Sequence, residues 1–313
     1  MNQRRSIFIA STFVVVVLII IGIYINIDKN QPTISFSFDD GSIKDFPNNK
    51  NESWNQLLLE KLKNNDVKSV LFVKGKNLDN KRGKEILKEW DTENHLIANH
   101  TYSHTYFNSK KVTLEQYQHE FLKNDSLINN YKNYIKLFRY PYLKEGNTIE
   151  KRDGFRSFLK KHNYKVGHVT IDASDWYVNQ RLVKRLLKNP SADITKFKEF
   201  YINHILDRAT FYNQLGIDLT GENIPHNLLL HHNLTSALFI DDLIFAFKEK
   251  GWKIISAEKA FKHSIYNKLP KNLPAGESLL WALAKETKQY ESVLRYPAED
   301  SRYEKSSMDS LGL

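Results

Sequence analysis

The chain opens on one long apolar block and then settles into short alternating runs. Ile7 to Ile25 reads IFIASTFVVVVLIIIGIYI without a charged residue, and Arg4 and Arg5 precede it. At about 1.5 Å per residue such a block spans roughly 28 Å as a helix, close to the ~30 Å hydrocarbon core of a membrane. Arginines on its leading side place residues 1–6 in the cytoplasm and everything after the block outside. The pattern predicts a transmembrane signal anchor over 7–27 and a polar linker over 28–32. A cleaved signal peptide, which would leave a secreted protein, has a shorter apolar stretch followed by small residues. Here the stretch ends in Tyr24-Ile25-Asn26-Ile27, with no A-x-A pattern.

From Thr33 onward the rhythm alternates between period two and period 3.6. Ile34 to Phe38 predicts a strand ending in Asp39-Asp40-Gly41, and Val67 to Val73 a second strand. Ile135–Phe138, Tyr164–Ile171, Leu228–Leu230 and Trp252–Ile255 read as further strands. Helices are predicted over Trp54–Leu62, Ile194–Leu215 and Leu238–Lys250, the last closed by Gly251. Thr113-Leu114-Glu115-Gln116 forms a capping box ahead of an apolar face of Tyr117, Phe121 and Ile128. Strand-then-helix order argues for an α/β fold, a parallel sheet with covering helices, open or closed as a barrel. Neither an internal repeat nor a second linker interrupts residues 33–313, which predicts one domain there. Tyr290 to Leu313 is polar and reads equally as a packed tail or a loose one.

Composition narrows the chemistry. Of 313 residues, 41% are hydrophobic and 26% charged, the balance of a folded globular chain. The sequence contains no Cys, which removes disulfides, thiolate metal sites and Cys nucleophiles at once. Any metal must be held by His, Asp or Glu. Lys and Arg number 46 against 36 Asp and Glu, a formal charge of +10. The basic residues are scattered in short runs such as Lys110-Lys111, so no nucleic-acid partner is expected.

The polar residues of interest follow predicted strands, on the side where barrel active sites are built. Taken singly, each has an ordinary explanation. Asp39-Asp40-Gly41 is a common turn. His100-Thr101-Tyr102-Ser103-His104 sets two imidazoles four residues apart, on one face of a helical turn if the segment is helical. Such a pair suits Zn²⁺ or a similar divalent ion, but eleven histidines make chance pairs common. Arg139 before Pro141 is either a carboxylate clamp or a surface ion pair. Asp175-Trp176 is an acid beside an aromatic, or a helix cap beside a core tryptophan. His231 follows Leu228-Leu229-Leu230, with His232 a neighbouring candidate.

Together the segments SFDDG, HTYSH, RYPY, DW and LLH occur in a fixed order between Ser37 and His231. This order resembles the polysaccharide deacetylase family, carbohydrate esterase family 4. The approach NHLIANH, Asn94 to His100, is also similar to that family, whereas Ser37 stands where Thr is commoner. The resemblance implies a distorted, TIM-like (β/α) barrel and a metal-dependent hydrolase that removes N-acetyl groups from N-acetylglucosamine-type polysaccharide. It implies a divalent metal, Zn²⁺ first with Co²⁺ or Ni²⁺ as alternatives, on Asp40, His100 and His104. Asp39 is similar to the family's general base, and Arg139 to the residue that orients it. His231 is similar to its general acid, held by Asp175. A backbone N–H near Tyr142 is similar to the family's donor to the developing oxyanion, and Trp176 and Leu229 resemble the walls of an acetyl pocket. The expected partners are an N-acetylated cell-wall glycan and, through the anchor, a membrane. Two other readings stay open: an O-acetyl esterase with the same residues, and a tethered glycan-binding protein without catalysis. A metallopeptidase is disfavoured because no H-E-x-x-H occurs.

Overall fold

The computed structural model describes residues 31–294 and 301–313. The predicted anchor and most of the linker lie outside them. Among the described residues no helix is long and apolar enough to cross a membrane.

Six parallel strands build the frame: β1 (Thr33–Asp40), β2 (Val70–Val73), β3 (Leu96–Asn99), β4 (Tyr134–Phe138), β6 (Lys165–Val166) and β7 (Pro225–His231). Their spatial order is β6-β4-β3-β2-β1-β7, and β8 (Lys253–Ile254) pairs with the start of β1. The short strand β5 (Lys144–Gly146) stands apart, antiparallel to β9 (Ala275–Gly276). The gap between β6 and β7 is spanned by a bridge between Ile171 and Leu228, with Leu229 N–H donating to Ile171 O at 3.0 Å. The result is an α/β half-barrel joined across its open side, not a regular barrel of eight equal strands.

Two departures from the predicted strands explain that irregularity. The run Tyr164–Ile171 forms a ladder only over Lys165–Val166. Beyond it the Gly167 carbonyl turns inward to accept Arg139 Nε–H at 2.9 Å, which withdraws it from the sheet. A Cβ on Gly167 would lie 2.5 Å from the Phe72 ring, so only glycine fits there. Strand β3 escapes the pattern reading because its four residues are too few to show a period. It completes the sheet between β2 and β4.

β1 explains how the barrel can be polar inside. Ile34, Phe36 and Phe38 face outward into the main core, where Phe36 meets Phe247 and Phe38 meets Trp90 edge-on. The covering helices are Asn51–Asn64, Lys81–Thr92 and Leu234–Glu249. Alternation in a strand then sends Ser35, Ser37 and Asp39 to the opposite face, where all three are buried. β2, apolar throughout, is buried on both faces, as a central parallel strand should be. A second apolar cluster holds Tyr117 and Phe121 against Phe138, Tyr140 and Phe155. Its helix, Leu114–Ile128, begins with the predicted capping box: Gln116 N–H reaches Thr113 Oγ1 at 3.1 Å, and Thr113 N–H reaches Gln116 Oε1 at 2.9 Å.

The predicted helix over Ile194–Leu215 runs from Thr195 to Thr220 and stops at Gly221, whose φ of 77° ends it. The tail is packed where it is described. Residues Arg302–Ser310 form a helix with Glu304 and Met308 buried.

Candidate active site

All the predicted site residues gather at the C-terminal edge of the parallel strands. Asp39 and Asp40 end β1, His100 follows β3, Arg139 follows β4 and His231 ends β7. Asp39, Asp40, His100, His104, Tyr142, Trp176, Leu229 and His231 line one cleft of about 290 Å³. Arg139 and Asp175 stand behind that wall, each 1% exposed, where they act on the lining rather than on a bound molecule.

Adjacent residues of a strand normally point to opposite faces, so two neighbouring aspartates should not share a cleft. They do because the chain turns at once. Gly41 N–H donates back to Asp39 O at 3.1 Å, with Asp40 between them at φ 76°. This is the rare, strained form of γ-turn, and it swings the Asp40 carboxylate to the side of Asp39. Gly41 itself sits at φ 83° against Leu78.

The expectation of a helical turn at HTYSH is corrected. His100 to His104 form an irregular loop, with Thr101 at φ 60° and His104 at φ 61°. Two left-handed residues within five break any helix. The fold secures them through Thr101 N–H to Asn99 Oδ1, at 3.0 Å, and His104 N–H to Thr101 Oγ1, at 3.1 Å. The imidazoles still meet, with ring centroids 4.9 Å apart.

Asp40, His100 and His104 each offer a ligand atom, and those atoms lie within 4.8 Å of one another. His104 Nε2 is 3.4 Å and His100 Nε2 3.8 Å from Asp40 Oδ1. That carboxylate oxygen is buried without a hydrogen-bond partner among the described residues, an unfavourable state that a cation would relieve. His100 Nδ1 lies 2.8 Å from the Arg139 carbonyl, which fixes Nδ1 as the donor and leaves Nε2 a lone pair facing Asp40. Burial drives His100 well below its ordinary pKa, and drives His104 down to about 4 against the attraction of Asp40. Both rings are therefore neutral, as metal ligands must be. Burial opposes the charge on Asp40, yet His104, His231, His100 and Lys74 together keep its pKa low. The donor set fits a divalent cation.

Asp39 is held from behind. Arg139 Nη1–H donates to Asp39 Oδ1 at 2.6 Å and to Ser37 Oγ at 2.8 Å, while Nη2–H donates to Asn227 Oδ1 at 2.9 Å. The guanidinium lies over the Phe72 ring at 3.9 Å. Burial pushes the Asp39 carboxyl up to about 6, with Arg139 and His231 pulling the other way. Across the cleft, His231 Nδ1 is 2.6 Å from Asp175 Oδ1, and the His231 backbone N–H donates to Asp175 Oδ2 at 2.8 Å. Burial disfavours a charged His231, but Asp175, with Asp40 and Asp39, outweighs it and lifts the pKa to about 10.

Tyr142 stands at the mouth at φ 57°, its ring 4.4 Å from His104 and half exposed. Leu229 packs with Leu143 and Val169 into a small apolar pocket. Sequence reasoning did not assign Asn227, nor Leu143 and Asp172, which also line the cleft. The alternation of Ser35, Ser37 and Asp39 opposite an outward apolar face was the available signal for a polar interior. His232 is not a second site residue: it accepts Ser42 N–H at 2.9 Å and meets Asn55 Oδ1 at 2.8 Å beneath Trp54 and Trp90.

Comparison with known proteins agrees with this geometry. A family model described as polysaccharide deacetylase matches residues 26–167. A peptidoglycan-N-acetylglucosamine deacetylase of Bacillus cereus is 25% identical over 242 residues, covering 75% of this chain and 70% of that protein. The fold is similar to that of the polysaccharide deacetylase Bc1974 from Bacillus cereus, with TM-score 0.53 and 23% identity over 75% of this chain and 98% of that one. It is likewise similar to the Bc1960 peptidoglycan N-acetylglucosamine deacetylase, with TM-score 0.52 and 22% identity over 75% and 91%. With its ordered motifs brought to a single cleft and residues 26–167 matched by the family model, the chain is similar to the polysaccharide deacetylase family.

Proposed function

We propose that the protein is a metal-dependent N-deacetylase acting on N-acetylglucosamine residues of a cell-wall polysaccharide, with acetate as the released product. The observation that carries this reading is the division of one cleft into three parts. One is a carboxylate–imidazole–imidazole group, the second a buried carboxylate clamped by arginine, and the third a histidine held charged by a buried aspartate.

Asp40, His100 and His104 would hold the cation, most plausibly zinc, given one carboxylate and two neutral imidazoles. When bound, such a cation polarises the acetyl carbonyl and lowers the pKa of water. Asp39 takes the proton from the attacking water, and Arg139 keeps it ionised and aimed. A backbone N–H near Tyr142 would serve as the fixed dipole that stabilises the developing oxyanion. His231 gives its proton to the departing nitrogen. An amine leaves only once protonated, and His231, held charged by Asp175, would supply that proton. The apolar pocket of Leu229 and Leu143, with Trp176 beside it, has the character required for an acetyl methyl.

The block Ile7–Ile25 behind Arg4 and Arg5 supports a membrane-anchored protein whose catalytic domain, residues 33–313, works outside the cytoplasm. A cleaved, secreted form is the alternative. The test is acetate release from N-acetylglucosamine oligomers by purified protein loaded with zinc. Chelation should abolish it and zinc restore it. Asp39→Asn and His231→Ala should lose turnover by at least about 10³-fold while keeping metal, and His104→Ala should lose the metal as well. Release from acetylated xylan but not from the amide substrate would make the enzyme an esterase. Release from neither would defeat the hydrolase reading.

A further inference from the structure

The loop that carries Asp175 is held in a conformation its own sequence does not favour. Ser174 lies at φ 48°, ψ 38°, left-handed backbone that a side chain with Cβ adopts only where its surroundings enforce it. Asp172 through Asp175 are all buried. Two successive carbonyls of this loop are taken by a single helix, Thr195–Thr220. Arg208 Nε–H donates to Asp172 O at 2.8 Å, and His204 Nε2 lies 2.9 Å from Ala173 O. Arg208 is 1% exposed, its guanidinium 5.3 Å from the Tyr212 ring and 5.4 Å from the Tyr303 ring. His204 Nε2 also meets Glu304 Oε1 at 3.3 Å, and Glu304 is 1% exposed. Tyr303 and Glu304 belong to the C-terminal helix Arg302–Ser310, which Arg181 ties down through Asp309 at 2.7 Å. Burying a guanidinium and a carboxylate is unfavourable unless their hydrogen bonds are used. Here Arg208 Nε–H and His204 Nε2 both reach one loop, directly ahead of the aspartate that holds His231, while Arg208 Nη2–H turns to Tyr212 OH at 3.4 Å and Glu304 backs His204.

We propose that Arg208 and His204 are positioning residues for Asp175, and that Glu304 makes the C-terminal helix part of the same brace. The loop carbonyls fix the backbone ahead of Ser174. Ser174 then presents Asp175 so that its two oxygens reach the His231 ring and backbone together. The kinetic arm of this inference rests on the deacetylase reading, whereas its spectroscopic arm rests on geometry alone.

The full chain loaded with zinc is the material for the test. Arg208→Met should lower kcat roughly 10- to 100-fold while KM changes less than about threefold, with metal content intact. Arg208→Lys, which keeps a cationic donor, should recover most of the loss. In proton NMR the hydrogen between His231 Nδ1 and Asp175 Oδ1 should give a low-field resonance. It should weaken or shift in Arg208→Met and return in Arg208→Lys. If Arg208→Met does not fold, Glu304→Gln, of the same size, carries the same expectation with a smaller loss. A folded variant with wild-type kcat and an unchanged resonance overturns the proposal, as does a loss that lysine does not recover. Should the wild type turn over no glycan while its resonance still depends on Arg208, the functional reading falls and the brace stands.

Discussion

Arg139 is the residue on which the cleft depends most, although it does not line it. Four of its hydrogen bonds go to groups from different parts of the chain: Ser37, Asp39, Gly167 and Asn227. Replacing it by methionine would keep the bulk over Phe72 and leave Asp39 a buried carboxylate without its hydrogen-bonded counter-charge. Breaking a buried pair in this way costs about 3–5 kcal/mol. Arg139→Met should therefore lower unfolding free energy by that order in urea melts. Its Asp39 should also titrate above about 6, because the largest opposing influence has gone. An unchanged midpoint in urea would show that the pair contributes nothing net.

At the scale of elements, the turn after β1 governs the site. Gly41 sits at φ 83°, and a Cβ there would lie 2.5 Å from Leu78 Cδ1. Gly41→Ala should both destabilise the protein, by about 1–2 kcal/mol from the left-handed backbone alone, and weaken zinc binding as Asp40 moves. Calorimetric titration and thermal melts read the two effects separately; a destabilised protein with unchanged zinc affinity would uncouple turn from ligand. The same element shows what sequence could and could not convey. Ordered segments from Ser37 to His231, read through their resemblance to a family, pointed to residues that the structure brings to one cleft and its wall. How Asp39 and Asp40 come to share a cleft, or why His100 and His104 meet outside a helix, was not local. Thr101 is β-branched and resists left-handed backbone, and the Asn99 side chain and the Thr101 hydroxyl hold the two residues there. β3 was invisible for a related reason: its pairing with β2 and β4, and not its own four residues, makes it a strand. The strands β1, β2, β4 and β7, with long clean patterns, were legible to within a few residues.

Across the whole molecule, several histidines are buried neutral away from the cleft. His95 accepts Ser69 N–H at 3.2 Å, and His226 lies between Thr170 and Asn213. Burial depresses both to about 3. Their unfolded value is near 6.5, so between pH 6.5 and 3 the unfolded chain binds more protons than the folded one. Their contribution to stability is then constant above about pH 6.5 and falls as pH drops through that window, by roughly 2 kcal/mol per such histidine at pH 5. Melting temperatures between pH 8 and 5 should show this fall, and His226→Gln should flatten it. A variant as acid-sensitive as the wild type would assign the lability to other groups.

The order in which the cleft's residues occur along the chain has a consequence for biogenesis. Asp40, His100 and His104 lie on β1 and just beyond β3, on neighbouring strands of the sheet. His231 and Asn227, by contrast, arrive with β7, which pairs with β1 along its length. On the deacetylase reading proposed above, a chain emerging from its N-terminus would present its whole set of cation ligands long before the proton donor for the leaving nitrogen. On that reading, capture of a metal and competence for chemistry would be separated by more than a hundred residues of synthesis, from His104 to His231.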